Sequence, residues 1–278
     1  MLPPPYKRIA VASAFSPRFE QVLAEAKRVR DRFGAELNLI YVGEEDAETT
    51  RRFQEALAAM ELPADSRIYY QKGTPADAIL AAVHENGIEL IVAGALEKEA
   101  VIRSFLGGVA RRLVRDAPCS VMLFTKPERE PQPLRRIVFF VPDYTEHVAA
   151  ALQKTLRLAA LEGSENVYVV RVYTSFDAAR ATLRANLEEQ LPDQPAAPTL
   201  EEEEAALEAF IEAGGETAVP VEARCIRGNT GFAASDFVQA IEANLLVVPV
   251  EASQNAGEIP PHIAWVSDVI PCNLWVIR

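Results

Sequence analysis

The sequence predicts an α/β protein built of two tandem, doubly wound parallel-sheet domains. Three observations carry that expectation. Short, continuously apolar runs alternate with longer amphipathic ones. A polar, proline-rich stretch, Lys126 to Pro133, interrupts the alternation near the middle of the chain. After it the same pattern begins again. Continuous apolar runs separated by helices mark strands covered on both faces, and so a parallel sheet between helix layers.

Ile9-Ala10-Val11-Ala12 reads as the first buried strand. Phe19, Val22, Leu23, Ala26, Val29 and Phe33 then recur at helical spacing, which predicts a helix over Arg18 to Phe33. Gly34 is its stop signal. Leu37 to Val42 is a second strand, followed by a helix from about Ala47 to Met60. Arg67 to Lys72 reads as strand, Ala76 to Asn86 as helix, and Glu89 to Gly94 as strand. Gly107 to Asp116 is a last helix and Ser120 to Phe124 a fifth strand. Right-handed crossovers wind such a series on both faces of one sheet.

The repeat is visible residue by residue. Arg136 to Val141 matches the first strand, Asn166 to Tyr173 the second, Val221 to Gly228 the third and Asn244 to Val250 the fourth. Ala117-Pro118-Cys119-Ser120-Val121 matches Ile270-Pro271-Cys272-Asn273-Leu274. A repeat this long indicates a duplicated domain rather than a solenoid. The domains are placed at 1–127 and 134–278, with an insertion near 175–213. Ser175 to Leu191 and Leu200 to Ala213 have helical composition around a break at Pro192 to Pro198. An extended helix-loop-helix and a docking element are the two readings of that insertion.

The chain has 278 residues, enough for two domains that each bury a core. Its net charge is −12. Residues 1–127 hold 17 basic and 17 acidic residues, so the excess lies wholly in the second half. That balance argues against nucleic acid or anionic lipid as a partner for the second half. No run reaches the roughly 18 apolar residues of a membrane helix, and Met1 to Arg8 contains no apolar leader segment. The three cysteines, Cys119, Cys225 and Cys272, are far apart and form no CxxC. A reducing, cytoplasmic setting is the expectation, without a disulfide framework or zinc site.

Chemistry-bearing constellations are sparse. His84, His147 and His262 stand apart and lack metal-ligand spacing. There is neither a GxSxG elbow nor a Walker A sequence. Carboxylates are scattered, so no acid/base pair is assigned. The expectation is no catalytic residue, no metal site and no enzyme.

One ordered set of residues is more specific. After the fourth strand the sequence runs Gly94-Ala95-Leu96-Glu97, nine further residues, and Gly107-Gly108; a helix then ends at Ala117-Pro118-Cys119-Ser120-Val121. Upstream stand Gly73-Thr74-Pro75 and Val42. This set resembles the universal stress protein family, whose wording is G-x-x-G, nine residues, G-[S/T], then a helix before A-P-C-P-V. The resemblance, with its degenerate second half, covers nearly the whole chain. It implies the Rossmann-like layering of the adenine nucleotide alpha hydrolases. It also implies a non-catalytic stress-response regulator that takes an adenine nucleotide (ATP, ADP or AMP, with Mg) in the first half.

In nucleotide-binding members the glycine loop and a helix N-terminus cradle the phosphates. The adenine lies against an Asp after strand one and the backbone ending strand two. Carried onto this sequence, those positions are Val42, Gly94, Gly107 and Gly108, with Ser13 beside the strand-one position and Arg103, with Arg111 further along, as cations that could offset the Glu97 carboxylate. The sequence departs from the pattern at Ala14 (the Asp position), Glu97 (the second glycine) and Gly108 (the Ser/Thr). The second half departs further, with Val248-Pro249-Val250-Glu251 where the loop begins and an isolated Gly257 before His262. The family also pairs domains through last strands, here Ser120 to Phe124 and Asn273 to Ile277. That implies an internal pseudo-dimer, with a homodimer of chains as a further expectation. Two other readings stay open: a ligand-free module for an unknown protein partner, and a weak nucleotide hydrolase.

Overall fold

A computed structural model describes residues 4–13, 15–63, 66–95, 106–187, 198–228, 230–251, 264 and 270–278. The chain divides into two compact units. One comprises the residues up to Pro133 together with the C-terminal strand, and the other runs mainly from Leu134 to Pro249. The sequence division at 134–278 assigns that last strand to the second half. By proximity it groups with the first, because its hydrogen-bond partner lies there.

In the first unit, β1 (Arg8–Ser13), β2 (Glu36–Val42), β3 (Ile68–Gln71), β4 (Leu90–Gly94) and β5 (Ser120–Phe124) alternate with α1 (Phe19–Phe33), α2 (Ala47–Ala59), α3 (Pro75–Glu85) and α4 (Gly108–Asp116). The strands lie parallel in the order β3-β2-β1-β4-β5. Right-handed crossovers leaving β1 in both directions put α1 and α2 on one face, α3 and α4 on the other. Local signals explain the helix ends. The Asp46 carboxylate accepts the Thr49 N–H and starts α2. Gly34 adopts φ +65° and ends α1. Both faces of the central strands are apolar: Ile9, Val11, Leu39, Ile40, Leu90, Ile91 and Val92 are fully buried.

The C-terminal strand, β10 (Asn273–Ile277), pairs antiparallel with β5, so the expected contact of the two last strands is present. Side chains lock it in place. Trp275 is fully buried and packs edge-on to Tyr6 at 6.2 Å, and at 5.9 Å from Phe33. The Tyr6 hydroxyl donates to Ser120 Oγ at 2.9 Å, and the Arg278 N–H donates to the same oxygen. The Arg278 guanidinium donates to the carbonyls of Val114 and Arg115 in the last turn of α4, where orphan acceptors need a partner.

The second unit repeats the plan with β6 (Arg136–Phe140), β7 (Asn166–Tyr173), β8 (Val221–Arg227) and β9 (Leu245–Pro249), parallel in the order β9-β6-β7-β8. Its helices are α5 (Glu146–Glu162), α6 (Ser175–Leu187), α7 (Leu200–Ala213) and α8 (Thr230–Ala240). Helices α6 and α7 stand where the composition of the insertion predicts them. The two are not equivalent, however. α7 leads into the third strand of its unit as α2 does, and its Leu207 is fully buried as Phe53 is. α7 is therefore the counterpart of α2, and α6 is the added element. A capping box, Thr199 with Glu202, starts α7.

Trp275→Ala removes the largest fully buried side chain from β10. It is expected to lower the stability of its unit by about 3–5 kcal/mol, measured by urea denaturation. A loss below about 1 kcal/mol would contradict the packing described.

Candidate functional site

In an open parallel sheet, ligands bind where the strand order reverses, at the carboxyl ends of the strands. In this chain that place is the edge formed by the ends of β1, β2 and β4. Ser13 and Gly94 lie two positions past the paired Val11 and Val92, so they stand level on neighbouring strands. Val42 closes β2 beside them. Gly107 N-caps α4, and its N–H donates to the Ala95 carbonyl at 2.9 Å, tying the helix start to the end of β4. Gly108 follows as the exposed first residue of the helix. Five of the six sequence-proposed residues thus gather at one edge. The sixth, Arg103, lies outside the described residues, as do Ala14, Glu97, Gly257 and His262.

The chemistry of that edge differs from a phosphate cradle. Ser13 is buried and its hydroxyl donates to the Val11 carbonyl at 3.3 Å. The Gly107 amide is used by Ala95. A Cβ at Gly94 would meet, among the described residues, only the Val22 side chain at 3.4 Å, so close packing does not require glycine there.

Aromatic side chains fill the gap between the ends of β1 and β2. The Phe15 ring lies 4.5 Å from that of Phe53 on α2 and 5.5 Å from those of Tyr41 on β2 and Phe19 on α1. The Arg52 guanidinium covers its outer face at 3.8 Å, a cation–π contact. Tyr41 also packs on Phe53 and Tyr70. Its ring lies so close over Gly43 that a Cβ there would sit 2.4 Å from a ring carbon. The Gly43 N–H is already bonded to the Gln71 carbonyl. The rings therefore stand beside both places to which the resemblance assigns adenine: the residue after strand one and the backbone ending strand two.

The second unit fills the same gap by different means. Its ladder pairs Phe140 with Val170 as the first unit pairs Ala12 with Ile40, so Arg171 occupies the position of Tyr41. The Arg171 side chain turns to the end of β6 and donates to the carbonyls of Val141 (3.2 Å) and Pro142. Its Nε donates to Glu203 on α7 at 2.8 Å, and the Tyr144 hydroxyl donates to the same carboxylate oxygen at 2.7 Å. Glu203 is only 4 % exposed, so these partners compensate a carboxylate removed from water. The same ladder logic sets Pro249 at the position of Gly94. A proline has no N–H to offer an anion.

Sequence reasoning missed both fillings. A signal for the second was present: Arg171 interrupts the run Val-Tyr-Val-Val-Arg-Val-Tyr, and a charge inside a buried strand demands a partner. Phe15 carried no comparable signal, since only the fold brings it to Phe53.

Nucleophiles and metal ligands are poorly placed. Burial pushes the Cys119 thiol up to about 12. Burial, with the carboxylates of Glu203 and Glu204, pushes Cys225 up to about 11. Thiols so shifted carry little thiolate near neutral pH. Among the described residues no group of three or more His, Cys, Asp or Glu side chains could hold a metal ion. His84 is exposed in the last turn of α3, and His147 lies in the first turn of α5. No helix among the described residues is long and apolar enough to cross a membrane.

The model of the universal stress protein family matches residues 5–125. A universal stress protein of Thermus aquaticus, encoded 3′ of a QAH/OAS sulfhydrylase, is 32 % identical over 137 residues, covering 42 % of this chain and 98 % of the relative. Among solved structures, a functionally unknown protein of Pseudomonas aeruginosa PAO1 superposes with a TM-score of 0.71 at 15 % identity, covering 98 % of this chain and 92 % of its own. A universal stress protein of Archaeoglobus fulgidus superposes with a TM-score of 0.59 at 16 % identity, covering 97 % and 98 %. At such identities the structures share the fold alone, whereas the Thermus relative is matched along nearly its whole length. The fold, the ordered glycine and proline positions and this relative agree: the chain belongs to the universal stress protein family.

Proposed function

We propose that this chain is a non-catalytic stress-response regulator that acts by contact with a protein partner, and that neither half takes an adenine nucleotide at its strand ends. One observation carries the reading: the Phe15 ring, in contact with Phe53 and Arg52, packs on Tyr41 near the end of β2. Displacing it would expose buried aromatic surface and break a ring pair worth about 0.5–1.5 kcal/mol beyond its area. A nucleotide would have to supply that free energy before gaining any affinity.

Other features support the same reading. Ala14 gives the adenine end no carboxylate, Gly108 gives phosphate no hydroxyl, and Glu97 adds a negative charge to the loop. In the second half the Arg171–Glu203 pair stands where a base would lie, and Pro249 stands at the loop's first glycine. The raised Cys119 and Cys225 thiols favour a binding role over nucleophilic catalysis. Cys119 and Cys225 are free thiols, which suits the reducing cytoplasm we assign to the protein.

Calorimetric titration with ATP, ADP and AMP, each with and without Mg²⁺, tests the proposal. The expected result is no saturable heat up to millimolar ligand; one nucleotide bound per chain would overturn it. Separately, Glu203→Ala leaves Arg171 without its carboxylate. The expected loss of stability is about 2–3 kcal/mol, below the figure for a fully buried pair because the Arg171 side chain is 25 % exposed. Thermal melting measures it, and an unchanged melt would show that the pair does not fasten α7.

A further inference from the structure

The added helix α6 helps to line a cavity in the second unit. It has a volume of about 810 Å³ and lies at the carboxyl ends of β7 and β8, between α6 and the start of α7. Its walls are largely apolar, with Tyr173, Ala178, Ala181 and Leu200 contributing. Three of the hydroxyls beside them are committed elsewhere. Tyr173 donates to the Pro198 carbonyl at 3.1 Å, Thr174 bonds Asp177 at 2.7 Å, and Thr199 accepts the Glu202 N–H.

Among the described lining residues the charged group is Arg227. The ladders give its counterpart in the first unit. β2 pairs Val42 with Gln71, and β7 pairs Val172 with Ile226, so Arg227 holds the position of Lys72 in the first unit. Lys72 is neutralised by Glu44 at 2.8 Å. The residue equivalent to Glu44, two beyond the paired strand position, is Thr174. Thr174 thus stands in the second unit where the first has the carboxylate of Glu44. Among the described residues Arg227 has neither an ion pair nor a side-chain hydrogen bond.

We infer that this cavity is a binding site for an amphipathic carboxylate, with the apolar body lying against Tyr173, Ala181 and Leu200 and the anionic head on Arg227. The volume falls within the range of about 300–1,000 Å³ for small-molecule sites, which are mostly apolar with few placed polar groups. A planar guanidinium matches a carboxylate in two parallel hydrogen bonds. The site lies in the second unit and does not depend on whether a nucleotide binds the first.

Laurate is the probe, titrated calorimetrically into the full chain below its micellar concentration. Dodecanol supplies the same body without charge, and acetate the same charge without body. One laurate per chain is expected, with dodecanol weaker by about tenfold, the loss of one charge-assisted contact, and acetate giving no saturable heat. Arg227→Gln should weaken laurate about tenfold and leave dodecanol unchanged. Ala181→Trp, which fills the cavity, should abolish both. Ala178→Trp does so from the more exposed wall, should the first variant fail to fold. Lys72→Gln, at the counterpart cation, should change nothing. Absence of saturable laurate binding, equal affinity for laurate and dodecanol, or laurate affinity unchanged in Arg227→Gln overturns the inference.

Discussion

Everything at the functional edge of this protein depends on how a doubly wound sheet closes the gap beyond its strand ends. Beyond the carboxyl ends of parallel strands, the last carbonyls and amides face the crevice in which such sheets take ligands. A gap left open holds water or a ligand, whereas a gap filled by the protein itself costs the ligand whatever holds the filling in place. In the first unit the filling is a ring cluster centred on Phe15, Tyr41 and Phe53. In the second it is an ion pair between Arg171 and Glu203, with the carbonyls of Val141 and Pro142 completing the guanidinium's contacts.

The two fillings start from one ladder position. Tyr41 and Arg171 are equivalent in register, and each reaches the helix that leads into the third strand, α2 or α7. An apolar filling draws its stability from area and ring geometry. An ionic filling is stable only while every charge keeps its partner. The two units thus share a backbone plan while the chemistry at one register position differs. The Lys72–Glu44 pair in one unit and Arg227, without an ion pair among the described residues, in the other differ in the same way.

Much of the fold was legible because parallel-sheet proteins write their strands as continuous apolar runs. Leu37 to Val42 and Glu89 to Gly94 announced themselves in this way, and Gly34 marked a helix end because its φ of +65° suits glycine. The repeat was legible for the same reason, down to the matching Pro-Cys before each last strand. The edge residues Ser13, Val42, Gly94, Gly107 and Gly108 could be placed through the family pattern. What fills the gap was not legible: Phe15 and Phe53 are 38 positions apart, and apolar residues give no sign of which others they meet. The role of α6 was hidden too, since composition names a helix but not its counterpart. Its status as the added element emerges only when α7, rather than α6, is seen to carry the buried Leu207 against the sheet.

The most direct test of the central claim is a double-mutant cycle between Phe15 and Phe53, using Phe15→Leu, Phe53→Leu and the pair, with stability read by urea denaturation. Rings 4.5 Å apart predict a coupling free energy of about 0.5–1.5 kcal/mol. Strictly additive losses would contradict the claim, because Phe15 would then not rest on Phe53. The first unit's strand-end gap would be open, and a ligand could enter it without displacing a ring.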